Sequence, residues 1–168
     1  FPVEGAYTTC IVDFKMMAAI HEGSVDVPGP WVLGYRPKKW MEMKPQFYMK
    51  HAQKVRQFYL TLPRYVNNYT DFNCGHFAAH YSATTFKPDE MHLYGFDSLF
   101  DMNLRSCTDF YLNSDRGAGN NVRLNDNWRP IWKSLFGEFS HQTKFVLHHK
   151  HDKIKFDIPE NVEIYVKK

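Results

Sequence analysis

Short runs of strand composition alternate with helical patterns along this chain, and that alternation restricts it to the α/β class. Residues 7–13 (YTTCIVD) are β-rich and end in an acid, and residues 15–22 (KMMAAIHE) then have helix-forming composition closed by Gly23. Residues 31–35 (WVLGY) and 57–62 (QFYLTL) read as two further strands, stopped by Arg36-Pro37 and by Pro63. Between them, residues 38–56 form a Met- and Lys-rich connection to which the pattern gives no form. Small and aromatic residues over 74–86 suit a helix packed closely on a sheet, and 91–95 (MHLYG) is a continuous apolar run of the kind found in buried parallel strands. The clearest helix follows at 128–139. Its apolar residues Trp128, Ile131, Trp132, Leu135, Phe136 and Phe139 recur at helical spacing, with Asn125 or Asp126 as cap and Pro130 in the first turn. Residues 144–148 (KFVLH) and 161–166 (NVEIYV) close the chain as strands.

Such an order predicts a mostly parallel sheet covered on both faces, with ligands outside the carboxyl ends of its strands. Those ends carry Asp13, Tyr35-Arg36, Gly95-Phe96-Asp97 and His148-His149. At 168 residues, all of the chain (1–168) is expected to form one domain. Its aromatic content of 17% gives that domain a well-buried core with rings to spare for a cleft.

The net charge of +3 comes from interspersed signs and makes no case for nucleic acid by itself. Cys10, Cys74 and Cys107 form no CxxC pair and cannot all be bridged, which points to a reducing compartment. No apolar run approaches the ~20 residues needed to cross a bilayer, and the start lacks the basic and apolar regions of a signal peptide. The expectation is a soluble cytoplasmic protein with no membrane partner.

Residues 73–97 (NCGHFAAHYSATTFKPDEMHLYGFD) carry the strongest functional signal. Asn73 is a good N-cap, Gly75 lets a ligand or another chain approach, and a first helical turn offers free N–H groups to a phosphate or carboxylate. The other reading is that Gly75 and Ala78-Ala79 merely allow close helix packing.

The combination N-x-G-x-x-A-A, then a helix, then E-M-H-L-Y-G-F-D resembles the small glycosyltransferases of the sialyltransferase-like group, which include short phage-encoded proteins. Upstream, TTCIVDFKMMAAI resembles that family's second strand and the acid following it; downstream, NSDRGAGNN, the amphipathic helix and a terminal strand follow in order. The resemblance implies a Rossmann-like three-layer transferase that uses a nucleotide sugar, most often a CMP-linked one, with no metal or other cofactor. Carried over by position, it implies that Asn73, Gly75 and Gly95 contact the nucleotide, that Asp97 lies at the cleft floor, and that Asp13 lies near the base or sugar. The family also begins with a strand and a G-x-G-x-S-like loop that nothing in 1–168 matches. A sheet lacking its first strand would then expose an edge, to be covered by upstream residues or by a protein partner. For a phage-encoded member the compartment would be the cytoplasm of an infected bacterium, or the virion.

Histidines supply the candidate base. The strand 144–148 delivers His148 and His149 to a carboxyl edge, where a neutral imidazole suits removal of a proton from an acceptor hydroxyl. Adjacent strand residues face opposite ways, so one of the two at most faces a given cleft. HHKHDK also reads as a solvated basic loop, and its spacing is not that of a zinc motif. In the Gly-containing loop with Asp115, Asn120 and Asn121, Arg116 is the candidate phosphate ligand, although such residues also simply make turns. The function expected is transfer from a nucleotide sugar to a hydroxyl acceptor. The alternative is a non-catalytic binding or virion-associated protein on the same fold, with a nucleic-acid role third.

Overall fold

The computed structural model describes residues 8–96, 99–100, 127–154 and 157–168. They fall into two compact units, parted between Pro63 and Arg64. Each carries a three-stranded, all-parallel sheet whose strands lie in chain order. The α/β class and the parallel pairing are as expected and compatible with a Rossmann-like fold. The described strands, however, are shared between two small sheets.

In the first unit, β1 (Thr9–Ile11), β2 (Trp31–Leu33) and β3 (Val55–Phe58) lie side by side. The crossover from β1 to β2 is α1 (Phe14–Glu22), started by Asp13, whose backbone is extended and whose carboxylate Oδ1 accepts the Met16 N–H at 2.9 Å. Two helices that the sequence pattern did not resolve, α2 (Tyr35–Met43) and α3 (Pro45–His51), connect β2 to β3. Tyr35, expected to finish a strand, opens α2 instead. Pro37 and Pro45 each sit in a first turn, where a missing N–H costs no intrahelical bond. Ile11, Met17, Ile20, Trp31, Leu33, Met41 and Phe47 form the core, each large side chain contributing about 1.5–3 kcal/mol by leaving water. All three residues of β2 are buried. Burial also pushes the Cys10 thiol up to about 12.

In the second unit, α4 (Cys74–Phe86) leads into β4 (Glu90–Tyr94), and α5 (Trp128–Glu138) leads into β5 (Lys144–His149), followed by β6 (Val162–Val166). The register sets Tyr94 level with His148, and His148 level with Tyr165. Of the sequence stripe of α5, Ile131, Trp132, Leu135, Phe136 and Phe139 are buried as expected and Trp128 is partly buried. The residue before the helix, Asn127, makes no side-chain capping bond, and the expected caps Asn125 and Asp126 lie outside the described residues.

Period-two alternation divides this second sheet into two unlike faces. Met91, Leu93, Phe145, Leu147, Val162 and Ile164 pack against Ala79 and Ala83 of α4 and Trp132, Leu135 and Phe136 of α5. The opposite face carries Glu90, His92, Tyr94, Lys144, the buried Val146, His148, Glu163 and Tyr165, none of which belongs to the apolar cluster formed with α4 and α5. Tyr94 keeps 67% and Tyr165 53% of their surface exposed. The run MHLYG is a one-sided strand, with His92 and Tyr94 turned outward.

Candidate functional site

The carboxyl edge of the second sheet is assembled by its helix starts. Asn73 caps α4 through a reciprocal pair: its Oδ1 accepts the His76 N–H at 2.9 Å, and its own N–H donates to His76 Nδ1 at 3.2 Å. With Nδ1 accepting, the His76 proton resides on Nε2, which donates to the Trp128 carbonyl at 3.1 Å and so ties the start of α4 to the start of α5. His76 is fully buried, and desolvation lowers its pKa to about 4, so it stays neutral at pH 7. His80, one turn on, is buried beside Glu138 at 3.3 Å; desolvation lowers its pKa, opposed by that carboxylate.

At Gly75, two residues past the cap, any larger residue would require the Phe96 ring to shift. A Cβ there would stand 2.5 Å from the Phe96 ring, which folds over the helix start just past β4. That contact supports close packing as the reason for this glycine. Gly95, between β4 and Phe96, has φ 79, a left-handed conformation that makes the turn into Phe96. Phe96 in turn meets Trp132 edge-on at 5.1 Å. Asn73, Gly75, Gly95 and both histidines of β5 thus share one edge, as the carboxyl-end rule requires.

Along the outward face, from the amino ends of β4 and β5 to that edge, lies a hydrogen-bonded row. Glu90 Oε1 accepts from His92 Nε2 at 2.6 Å, and His92 Nδ1 lies 2.7 Å from His148 Nε2. Tyr94 stacks on the His148 ring at 4.1 Å and 16°, while Tyr165 lies 5.0 Å away on the neighbouring strand. Lys144 extends the row, 4.0 Å from Glu90 and 2.5 Å from Glu163. Its hydrogen bond to Glu163 lowers that carboxyl and raises the ammonium.

His149 faces the other way. It stacks on Phe100 at 3.9 Å and 4°, and its Nδ1 accepts the His151 N–H at 3.3 Å. The structure therefore places His148 with a carboxylate and a second imidazole, and His149 against the apolar side. Asp13 belongs to the first unit, where its carboxylate caps α1. Asp97, Asp115, Arg116, Asn120, Asn121 and Cys107 lie outside the described residues. Glu90, His92, Tyr94 and Tyr165 were not singled out from the sequence. The signal was the alternation E-x-H-x-Y in β4, obscured by counting His92 and Tyr94 into an apolar run.

Among the described residues, no three His, Cys, Asp or Glu side chains converge as a metal site. No described helix is long and apolar enough to cross a membrane. No protein-family model, no curated protein and no solved structure matches the chain.

Proposed function

We propose that the second unit carries a general-base site for group transfer, and that the protein moves a sugar from a nucleotide donor, CMP-linked in the first instance, to a hydroxyl acceptor. The observation that carries this reading is the Glu90–His92–His148 row, which runs along the outward face from the amino end of β4 to His148 at the carboxyl edge of a parallel sheet. A fixed imidazole with a carboxylate behind it is suited to deprotonating a hydroxyl near neutral pH. In the step proposed, the acceptor oxygen gives its proton to His148 and bonds to the anomeric carbon. The anomeric carbon–phosphate oxygen bond breaks, its electron pair leaving with the nucleotide phosphate. The proton then passes from His148 to solvent.

For the donor, the joined starts of α4 and α5 supply positively polarised helix ends near the same edge. The buried Nε1 donors of Trp128 and Trp132, in the first two turns of α5, have no hydrogen-bond partner among the described residues. Asp97 enters the proposal from the sequence resemblance alone, as do the nucleotide contacts of Asp13, Asn73, Gly75 and Gly95, and Arg116 enters from the chemistry of its guanidinium toward phosphate.

The exposed rings of Tyr94 and Tyr165 favour a second reading, a protein that binds a sugar or base on this face without turnover. Incubation with CMP- and UDP-sugars and an acceptor panel, read by mass spectrometry beside thermal shifts with CMP and UDP, separates the two. Transfer that falls at least about a hundredfold in His148→Phe supports the enzyme. A nucleotide-induced shift with no product would favour the binding protein, and neither response would remove both.

A further inference from the structure

We infer that Glu90 and His92 are positioning residues that fix the tautomer of His148, leaving the bare lone pair, and with it the basic atom of the site, on His148 Nδ1. The inference rests on the proposed transfer only in naming the hydroxyl whose proton that atom takes.

Glu90 sets the proton positions along the row from its charged end. A carboxylate accepts hydrogen bonds and cannot donate them, so at 2.6 Å from Glu90 Oε1 the Nε2 atom of His92 must carry a proton. With one proton per imidazole, His92 Nδ1 is then bare. A bare nitrogen 2.7 Å from His148 Nε2 requires a proton on that nitrogen. The remaining nitrogen of His148, Nδ1, keeps its lone pair. The opposite polarity would set two lone pairs against each other between Glu90 and His92, or would need a second proton on His92.

The surroundings of His148 agree with this assignment. Tyr94 covers one face of its ring and Nε2 is held by His92, while among the described residues no hydrogen bond reaches Nδ1. The base is therefore oriented through its far nitrogen and stacked on its face, with the Nδ1 edge left for a ligand. On accepting a proton at Nδ1 the His148 imidazolium keeps Nε2–H directed at His92, so the row that sets the tautomer also receives the developing charge. Glu90 and His92 touch no substrate in this scheme.

Two-bond nitrogen–proton correlation spectra of the full chain, labelled with nitrogen-15 histidine, read the tautomer of each ring directly. The expected result at neutral pH is a protonated Nε2 and a bare Nδ1 on His148. His92→Phe should abolish that preference and give a mixture, and Glu90→Ala should weaken it. His92→Gln, whose Oε1 still accepts from Nε2–H, and Glu90→Gln, whose oxygen still accepts from His92, should each retain it, and both remain informative if the bulkier changes unfold the chain. A wild-type His148 protonated on Nδ1, a His92 carrying both protons, or a His148 tautomer unmoved by both His92→Phe and Glu90→Ala would overturn the inference. The expected tautomers without sugar transfer would support it while removing the glycosyltransferase reading.

Discussion

The middle strand of the first sheet, β2, is buried along its length by Trp31, Val32 and Leu33. The middle strand of the second, β5, buries Phe145, Val146 and Leu147 and then surfaces at His148 and His149. Its neighbours extend that difference: β4 and β6 turn Glu90, His92, Tyr94, Glu163 and Tyr165 outward. Both sheets are parallel and three-stranded, and each unit has one helix capped by a side chain, Asp13 on α1 and Asn73 on α4, so pairing does not distinguish them. What distinguishes them is the chemistry of alternate strand positions. A strand lined by Trp, Val and Leu demands cover on both sides, whereas one written Glu-Met-His-Leu-Tyr needs it on one. The second sheet can therefore keep titratable side chains in a fixed row without burying them.

The contrast can be tested first in the cores. Phe136→Ala in α5 removes a fully buried ring and should cost about 3–5 kcal/mol. In hydrogen exchange the lost protection should be largest in α4, α5 and β4–β6. Equal loss in α1 and β1–β3 would mean that the two units do not respond separately.

Acid supplies the next effect. Because burial lowers the His76 pKa from 6.5 to about 4, the unfolded chain takes up this proton before the folded one does. The stability from the neutral imidazole is thus complete above about pH 6.5 and is lost as pH falls toward about 4, on the order of 3 kcal/mol in all. His80 shifts in the same direction. The first unit has a more exposed counterpart in His51, lowered chiefly by desolvation and then by Lys54 and Lys50. Denaturant melts between pH 7 and pH 4.5 should show a steep loss that flattens in His76→Gln, and an unchanged slope in that variant would remove His76 as its source.

A smaller effect tests the helix starts. Gly75→Ala improves helix propensity but drives a methyl group into the Phe96 ring, and the clash should win by about 1–3 kcal/mol. Adding Phe96→Ala should make the alanine at 75 neutral or stabilising when measured in that background. A penalty that persists without the ring would mean that the glycine serves something other than this contact.

Smallest are the caps. Asn73→Ala and Asp13→Ala each remove a side-chain acceptor and should cost about 0.5–2 kcal/mol. Asn73→Ala keeps the backbone N–H that donates to His76 Nδ1, so each variant loses one side-chain acceptor. A nucleotide response lost by either variant beyond this loss of stability would add a ligand role to the capping role.

Much of the second unit was legible in the sequence. The cap at Asn73, the helix closed before Pro88, the apolar stripe of 128–139 and the strands ending at His148-His149 and Val166 follow from periodicity and capping chemistry. The helices of residues 35–51 were not legible, because Tyr35 follows an apolar run that reads as strand and the Met- and Lys-rich stretch has no strong stripe. The histidine pair was read correctly as facing opposite ways. Which one met a partner was not readable, because Glu90 and His92 lie more than fifty residues away and come into reach only through the register of β4 on β5. At Gly75, sequence left two readings open, and only the position of Phe96 gives the packing one a physical contact.

The open face has a consequence for variation. Because Glu90, His92, Tyr94, His148, Glu163 and Tyr165 contribute little to the packed side of the sheet, the chain can exchange them while Leu93, Phe145 and Leu147 preserve the scaffold. A library randomised at those six outward positions should stay largely folded, whereas one randomised at the inward positions between them should not. Selection on this surface can then proceed with little toll on foldedness, so new specificities are reachable in single steps from a sheet that never has to be rebuilt.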